Sequence, residues 1–125
     1  SCREKEDLVP NTYVDFTIYL SDPQFSELQT IGNSVFVTGG VVGIVIYRVS
    51  QNEFVALERC CSYEPSDRCA VVPDTTSALM LNCPCCQSKF LIIDGSVQTP
   101  PAKRNLLQYT TYYDGNNTLR VTNNY

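Results

Sequence analysis

The sequence predicts an all-β domain, and three observations carry that reading. Apolar residues alternate with polar ones at period two in the first ordered-looking stretch. Short β-branched and aromatic runs follow, each ended by Gly, Pro, Asn or Asp. No stretch sustains the 3.6-residue apolar period of a long helix. At 125 residues the chain is long enough for one domain with a real core. It shows no repeat and no internal domain boundary.

The elements follow in order. Val14, Phe16, Ile18 and Leu20 share one face of a strand, with Asp15, Thr17 and Tyr19 opposite. Asp22-Pro23 breaks it, and Gln24–Ile31 reads as a connection with a short helical turn. Val35–Thr38 and Gly43–Val49 form a hairpin across Gly39-Gly40. Gln51-Asn52 then turns the chain into a strand over Glu53–Arg59, where Phe54 and Ala56 alternate with Val55 and Leu57. Ala70–Val72 and Ala78–Leu81 are short strands joined by Pro73–Thr76. Lys89–Ile93 is another, closed by Asp94-Gly95. Thr99-Pro100-Pro101-Ala102 cannot continue a ladder and reads as loop. Leu107–Tyr113 and Thr118–Thr122 close the chain as a hairpin about Asp114–Asn117. The expected division is a polar tether over residues 1–12 and a single β domain over 13–125.

Charge excludes some functions. The formal net charge is −4, and only Lys103-Arg104 place basic residues side by side, so a nucleic-acid partner is not expected. No apolar run approaches the roughly 20 residues that span a bilayer. The carboxylates Asp67, Asp74 and Asp94 each sit beside turn residues and form no acid–base pair. No Gly-rich phosphate loop precedes a helix. Tyr109, Tyr112, Tyr113 and Tyr125 read first as core and cross-strand residues. Nothing makes a positive case for an enzyme.

Cysteine is where the chain is unusual. Six of its seven cysteines lie between positions 60 and 86, and histidine is absent. Such density suits disulfides in an oxidising compartment or a thiolate metal site in a reducing one. Cys2 stands apart, after Ser1 and before the polar run Arg3-Glu4-Lys5-Glu6-Asp7. This resembles a bacterial lipoprotein trimmed near its processing site. The resemblance implies lipid on Cys2 and anchoring to the bacterial cell envelope, with membrane contact through that lipid alone. The alternative is an incidental cysteine near a chain end. Lipid on Cys2 leaves six cysteines, an even number suited to three bridges.

The run Cys83-Pro84-Cys85-Cys86-Gln87-Ser88-Lys89-Phe90 is similar to the second box of Rieske iron–sulfur domains, Cys-Pro-Cys-His-Gly-Ser-x-Phe. Cys61-Ser62-Tyr63 resembles the first box, Cys-Thr-His, and Cys69 the further cysteine shortly after it. Asp94-Gly95-Ser96-Val97 and Pro100-Pro101-Ala102 resemble the turn and Pro-rich loop that cover the cluster. The likeness extends from about Val35 to Val121. It implies a Rieske-like fold of antiparallel sheets, or sandwich, with a cysteine-rich two-loop tip.

The resemblance also assigns positions. Cys61 and Cys83 stand where the family's two cysteines hold one iron; Tyr63 and Cys86 stand where two histidines hold the other. Cys69 and Cys85 match a disulfide that braces the two loops. Gln87 replaces the usual glycine. With no histidine, the family's His-ligated cluster cannot form.

The leading expectation is then no cofactor and no bound metal. Six cysteines permit 15 pairings, and the resemblance alone implies Cys69–Cys85, Cys61–Cys83 and Cys60–Cys86; a tip so stapled would serve a structural role or bind a protein partner. The contrasting readings keep a metal. One is an all-cysteine [2Fe-2S] cluster on Cys61, Cys83, Cys86 and Cys60, transferring electrons to an oxidoreductase. Cys60 reaches inward for it only if the loop bends there, because adjacent side chains of an extended strand face opposite ways. The other is zinc at Cys83-x-x-Cys86, which has one knuckle's spacing but lacks a second such pair.

Overall fold

A computed structural model of the chain describes residues 8–10 and 12–123. Lipidation of Cys2 and most of the expected tether lie outside them. The described residues build a β fold of two antiparallel sheets joined at one hairpin.

The larger sheet has six strands: β1 (Asp15–Tyr19), β2 (Ser34–Val37), β3 (Ile44–Arg48), β4 (Phe54–Glu58), β9 (Gln108–Tyr113) and β10 (Thr118–Thr122). Their spatial order is β1-β10-β9-β4-β3-β2. The smaller sheet runs in sequence order: β5 (Val72–Pro73), β6 (Met80–Asn82), β7 (Lys89–Leu91) and β8 (Val97–Thr99). It lies entirely within the chain excursion between β4 and β9. The excursion leaves and returns at adjacent points, where Glu58 N–H donates to the Leu107 carbonyl at 2.8 Å.

Strand β1 follows the period-two reading. Val14, Ile18 and Leu20 are buried while Asp15 and Tyr19 are exposed, and the strand pairs from Asp15↔Thr122 to Tyr19↔Thr118. The expected helical turn is a short 3-10 segment, Pro23–Gln29, capped by the Asp22 side chain accepting from Gln24 N–H. The turn after β9 is closed by Asp114, whose Oδ1 accepts the N–H groups of Asn116, Asn117 and Thr118 at 2.8–3.1 Å.

Strands β3 and β4 depart from a half-exposed alternation: every residue of both is buried. The reason is a core on each face. On one face Ile44, Ile46, Phe54 and Ala56 pack with Val14, Ile18, Leu28, Tyr109, Leu119 and Val121, so the larger sheet curls back over itself. On the other, Val45, Tyr47, Val55 and Leu57 pack with Val71, Leu81, Phe90 and Ile92 of the cysteine-bearing excursion. The central hairpin is therefore the wall between two cores.

Two charged side chains are buried in that wall, at its ends. Arg48, 8% exposed, donates to the carbonyls of Leu28, Ser50 and Gln51 and lies 5.0 Å from the Phe54 ring centroid. Glu58 is fully buried. Its Oε1 accepts from Val41 N–H (2.7 Å) and Tyr109 O–H (2.6 Å), and its Oε2 from Val42 N–H (3.0 Å) and Cys60 N–H (3.1 Å). The connection from β2 to β3 is thus a longer loop across residues 38–43, not a two-residue turn at Gly39-Gly40. Gly40, at φ +61°, passes so close that a Cβ there would collide with Glu58 Oε1 and stand 2.6 Å from Tyr109 Oη.

Strand β8 was not expected, because the Asp94-Gly95 turn and the prolines flank only four residues between them, and Thr99 reads as loop. It forms because β7 offers a free edge, with Phe90↔Val97 and Lys89↔Thr99 in register around a bulge.

Candidate metal-binding tip

Two loops carry the cysteines. The first leaves β4 through Cys60 and Cys61 and is pinned to its own return by Cys61 N–H to Cys69 O (2.8 Å) and Val71 N–H to Arg59 O (2.7 Å). The second, Cys83–Ser88, connects β6 to β7. It is closed by Gln87 N–H to Cys83 O (2.8 Å) and Cys83 N–H to Ser88 O (2.9 Å). Closing it so tightly requires a left-handed residue, and Gln87 takes that conformation at φ +66°. The turn brings Cys86 back beside Cys83.

A third loop covers both. Ser62 O–H donates to the Arg104 carbonyl at 2.5 Å, and Ala102 N–H donates to Ser88 Oγ at 2.8 Å. This gives the Pro100–Ala102 segment its place over the tip.

The sulfurs divide into three sets. Cys69 and Cys85 form a disulfide that ties the first loop to the second. Cys61, Cys83 and Cys86 bring their sulfurs within 4.8 Å of one another, with Cys61 and Cys86 at 3.7 Å. That last distance is a contact between thiols and not a bond. Cys60 faces elsewhere. It is fully buried, with its sulfur toward the Pro65 carbonyl at 3.5 Å.

The structure therefore differs from the three-bridge tip. It holds Cys69–Cys85, while Cys61, Cys83, Cys86 and Cys60 stand as thiols. Cys60–Cys86 is not formed because the chain is still extended at Cys60, which sends its sulfur to the opposite side from Cys61. Cys61–Cys83 is not formed; Cys61 meets both Cys83 and Cys86.

The three convergent sulfurs line a cavity of about 30 Å³, completed by Tyr63, Glu64, Asp67 and the Cys69–Cys85 bridge. Tyr63 is 43% exposed. No carboxylate joins the sulfur group among the described residues. Burial, then the hydrogen bond with Cys83, push the Cys61 thiol well above the ordinary range. For Cys86 burial pulls the same way, but hydrogen bonds from the Ser88 hydroxyl and backbone, with those from Cys83 and Cys61, outweigh it and leave the pKa lowered. The geometry around Ser88 accounts for this. The Cys86 thiol donates to Ser88 Oγ at 3.1 Å, and once Cys86 is ionised the Ser88 hydroxyl, held in place by the Ala102 N–H, can donate to the thiolate instead.

Comparison with known proteins agrees with this architecture. The family model of the Rieske [2Fe-2S] domain matches residues 17–111, and the chain belongs to that family. The fold is similar to that of the plasma-membrane Rieske protein PetC3 of the cyanobacterium Synechocystis PCC 6803. The two share 20% identity at a TM-score of 0.59, over 82% of this chain and 94% of that one. No curated protein matches the sequence.

Membership makes the donor set the decisive test. The family's cluster takes two thiolates on one iron and two imidazoles on the other. Here the imidazole positions hold an exposed phenol and a third thiol, and the sequence contains no histidine. An all-thiolate replacement needs four sulfurs in two pairs at opposite ends of a four-atom core. The tip instead offers three sulfurs in one group, with the fourth candidate, Cys60, directed away. The residues present do not fit a two-iron cluster.

Sequence reasoning placed the tip and, in its contrasting cluster reading, named Cys61, Cys83 and Cys86 together with Cys60; the structure brings the first three together and leaves Cys60 out. It missed Glu58, for which a glutamate closing an apolar strand two residues before Cys60 was the available signal.

Proposed function

We propose that this chain is a bacterial envelope domain in which the Rieske scaffold serves as a structural or partner-binding module and not as an electron carrier or enzyme. The observation that carries the reading is the donor set at the tip: three sulfurs in one group, no imidazole, and Cys60 turned toward Pro65. Anchoring through lipid on Cys2 completes it. The proposed attachment rests on the likeness of the Cys2 region to a lipoprotein processing site. The proposed partner is a protein. Val72, Leu79 and Ile93, all exposed on or beside the small sheet, offer it apolar contacts.

The test is iron and acid-labile sulfide content of the chain purified without oxygen from iron-supplemented cells. Sub-stoichiometric iron, no labile sulfide and no electron paramagnetic resonance signal after dithionite reduction are the expected results. Two irons and two sulfides per chain would overturn the reading and restore electron transfer.

A further inference from the structure

We propose that Cys61, Cys83 and Cys86 together bind one thiophilic d10 ion, Zn(II) or Cu(I), which clamps the two tip loops in place of the two-iron cluster. The proposal rests on the preceding reading that no such cluster forms.

The distances favour a single centre. A metal–sulfur bond of about 2.3 Å sets neighbouring sulfurs of a tetrahedral site about 3.8 Å apart. The Cys61–Cys86 separation is 3.7 Å, and no pair in the group exceeds 4.8 Å. Sulfurs on different irons of a two-iron core could not all stand so near. One ion can touch all three with only small side-chain adjustments.

The ligands come from rigid and separate places. Cys61 is held by the ladder to Cys69, while Cys83 and Cys86 are three residues apart on the loop closed through Gln87. An ion would thus join chain segments already crossed once by the Cys69–Cys85 bridge. Cys61 and Cys83 are 2% and 1% exposed, and Cys86 is partly exposed, which leaves an entry path. Thiolate-only sets select soft ions, Cu(I) and Zn(II) foremost. The cavity of about 30 Å³ leaves space for a water at a fourth position beside Tyr63.

Ser88 supplies the supporting contact that metal-bound groups usually have. Fully buried, it accepts from Ala102 and lies 3.1 Å from Cys86 Sγ, which fixes that sulfur's direction. Coordination also has a protective effect. Cys83 Sγ lies within 4.8 Å of both bridge sulfurs. A free Cys83 thiolate could attack Cys85, forming Cys83–Cys85 and releasing the Cys69 thiolate. Bound to the ion, it is removed from that exchange.

The experiment uses the full chain purified without oxygen or reductant, so that the Cys69–Cys85 bridge is kept. Native mass spectrometry reads any ion carried from the cell. Apo protein is then titrated with Co(II) as a visible probe, followed by Zn(II) and Cu(I) in competition. One equivalent of ion and a thiolate-to-cobalt charge-transfer band are expected. The band should be lost in Cys61→Ser, Cys83→Ser and Cys86→Ser and kept in Cys60→Ser. Ser88→Ala should weaken binding by about 10–100-fold with the same stoichiometry. Because the buried variants could misfold, a second readout is the urea midpoint. Added Zn(II) or Cu(I) should raise it in the parent chain and leave it unmoved in Cys86→Ser, the most accessible of the three. Retention of Zn(II) against Cu(I), or the reverse, assigns the ion. No stoichiometric ion and no cobalt band would overturn the inference and leave the cluster-free reading standing; two irons with two sulfides would overturn both.

Discussion

Glu58→Gln is a nearly isosteric change that should cost this protein about 3 kcal/mol. The carboxylate meets four donors, three of them backbone N–H groups that cannot reverse their role. The best orientation of the amide keeps its oxygen on Val42 and Cys60 and turns its NH2 toward Val41 and Tyr109. Tyr109 can accept, being a hydroxyl, but Val41 N–H then faces another donor. A buried donor stripped of its acceptor costs about 1–3 kcal/mol, and each surviving bond loses its charge assistance, about 0.5–1 kcal/mol apiece. Three such bonds and one orphaned donor span about 2.5–6 kcal/mol, and about 3 kcal/mol is the conservative end of that range. With a urea slope of about 2 kcal/mol per molar, the midpoint should fall by about 1.5 M at unchanged slope. Gly40→Ala attacks the same network from outside, since its Cβ would occupy the space of Glu58 Oε1. The two changes should couple by more than about 1 kcal/mol in a double-mutant cycle. A midpoint shift in Glu58→Gln below about 0.3 M would refute the reasoning, because the four bonds would then contribute little.

Further expectations concern other parts of the fold. Replacing Cys69 and Cys85 by Ser opens a bridge of sequence separation 16 and should cost about 3 kcal/mol by urea unfolding. Gln87→Gly removes a non-glycine residue from the left-handed region and should raise stability by about 0.5–1 kcal/mol, read as a higher urea midpoint. Arg48→Lys keeps the charge but loses the planar fork across three carbonyls and the stacking on Phe54, and should cost about 2 kcal/mol. Asp114 is held below the usual carboxylate range by the N–H groups of Asn116 and Thr118. Its contribution is therefore complete above about pH 4 and is lost as pH falls through its lowered value. Asp114→Asn should flatten the decline of the thermal midpoint between about pH 4 and pH 2.

Much of the fold was legible because its strands bury one face. Val14–Leu20 is the clear case: period-two alternation both located the strand and named its inward side. The same rule described β4 incompletely, since a strand with a core on each face has no outward side and its sequence cannot show which core takes which residue. Glu58 was illegible for a related reason. A glutamate is read as solvated unless its partners are known, and three of the four come from elsewhere, from the 38–43 loop and β9. At the tip, the resemblance located both loops and the Cys69–Cys85 bridge, because these follow from residue order. The resemblance also set Cys61, Cys83 and Cys86 at neighbouring ligand positions; whether Cys60 joins them depends on the local backbone, which stays extended there and which cysteine spacing does not show.

The point where the excursion departs has a consequence for how the tip could change. Residues 59–106 leave and rejoin the larger sheet at neighbouring rungs, Glu58 and Leu107. The six-stranded ladder is therefore closed beneath the excursion, whatever chemistry the excursion carries. Exchange of two ligand side chains at its far end leaves every rung of that ladder intact. The tip is dependent only at its base, where Val45, Tyr47, Val55 and Leu57 must stay covered by Leu81 and Phe90. Donor atoms could thus drift under selection for a new ligand while the apolar seat below them stays fixed, and a scaffold divided in this way can outlive its original cofactor.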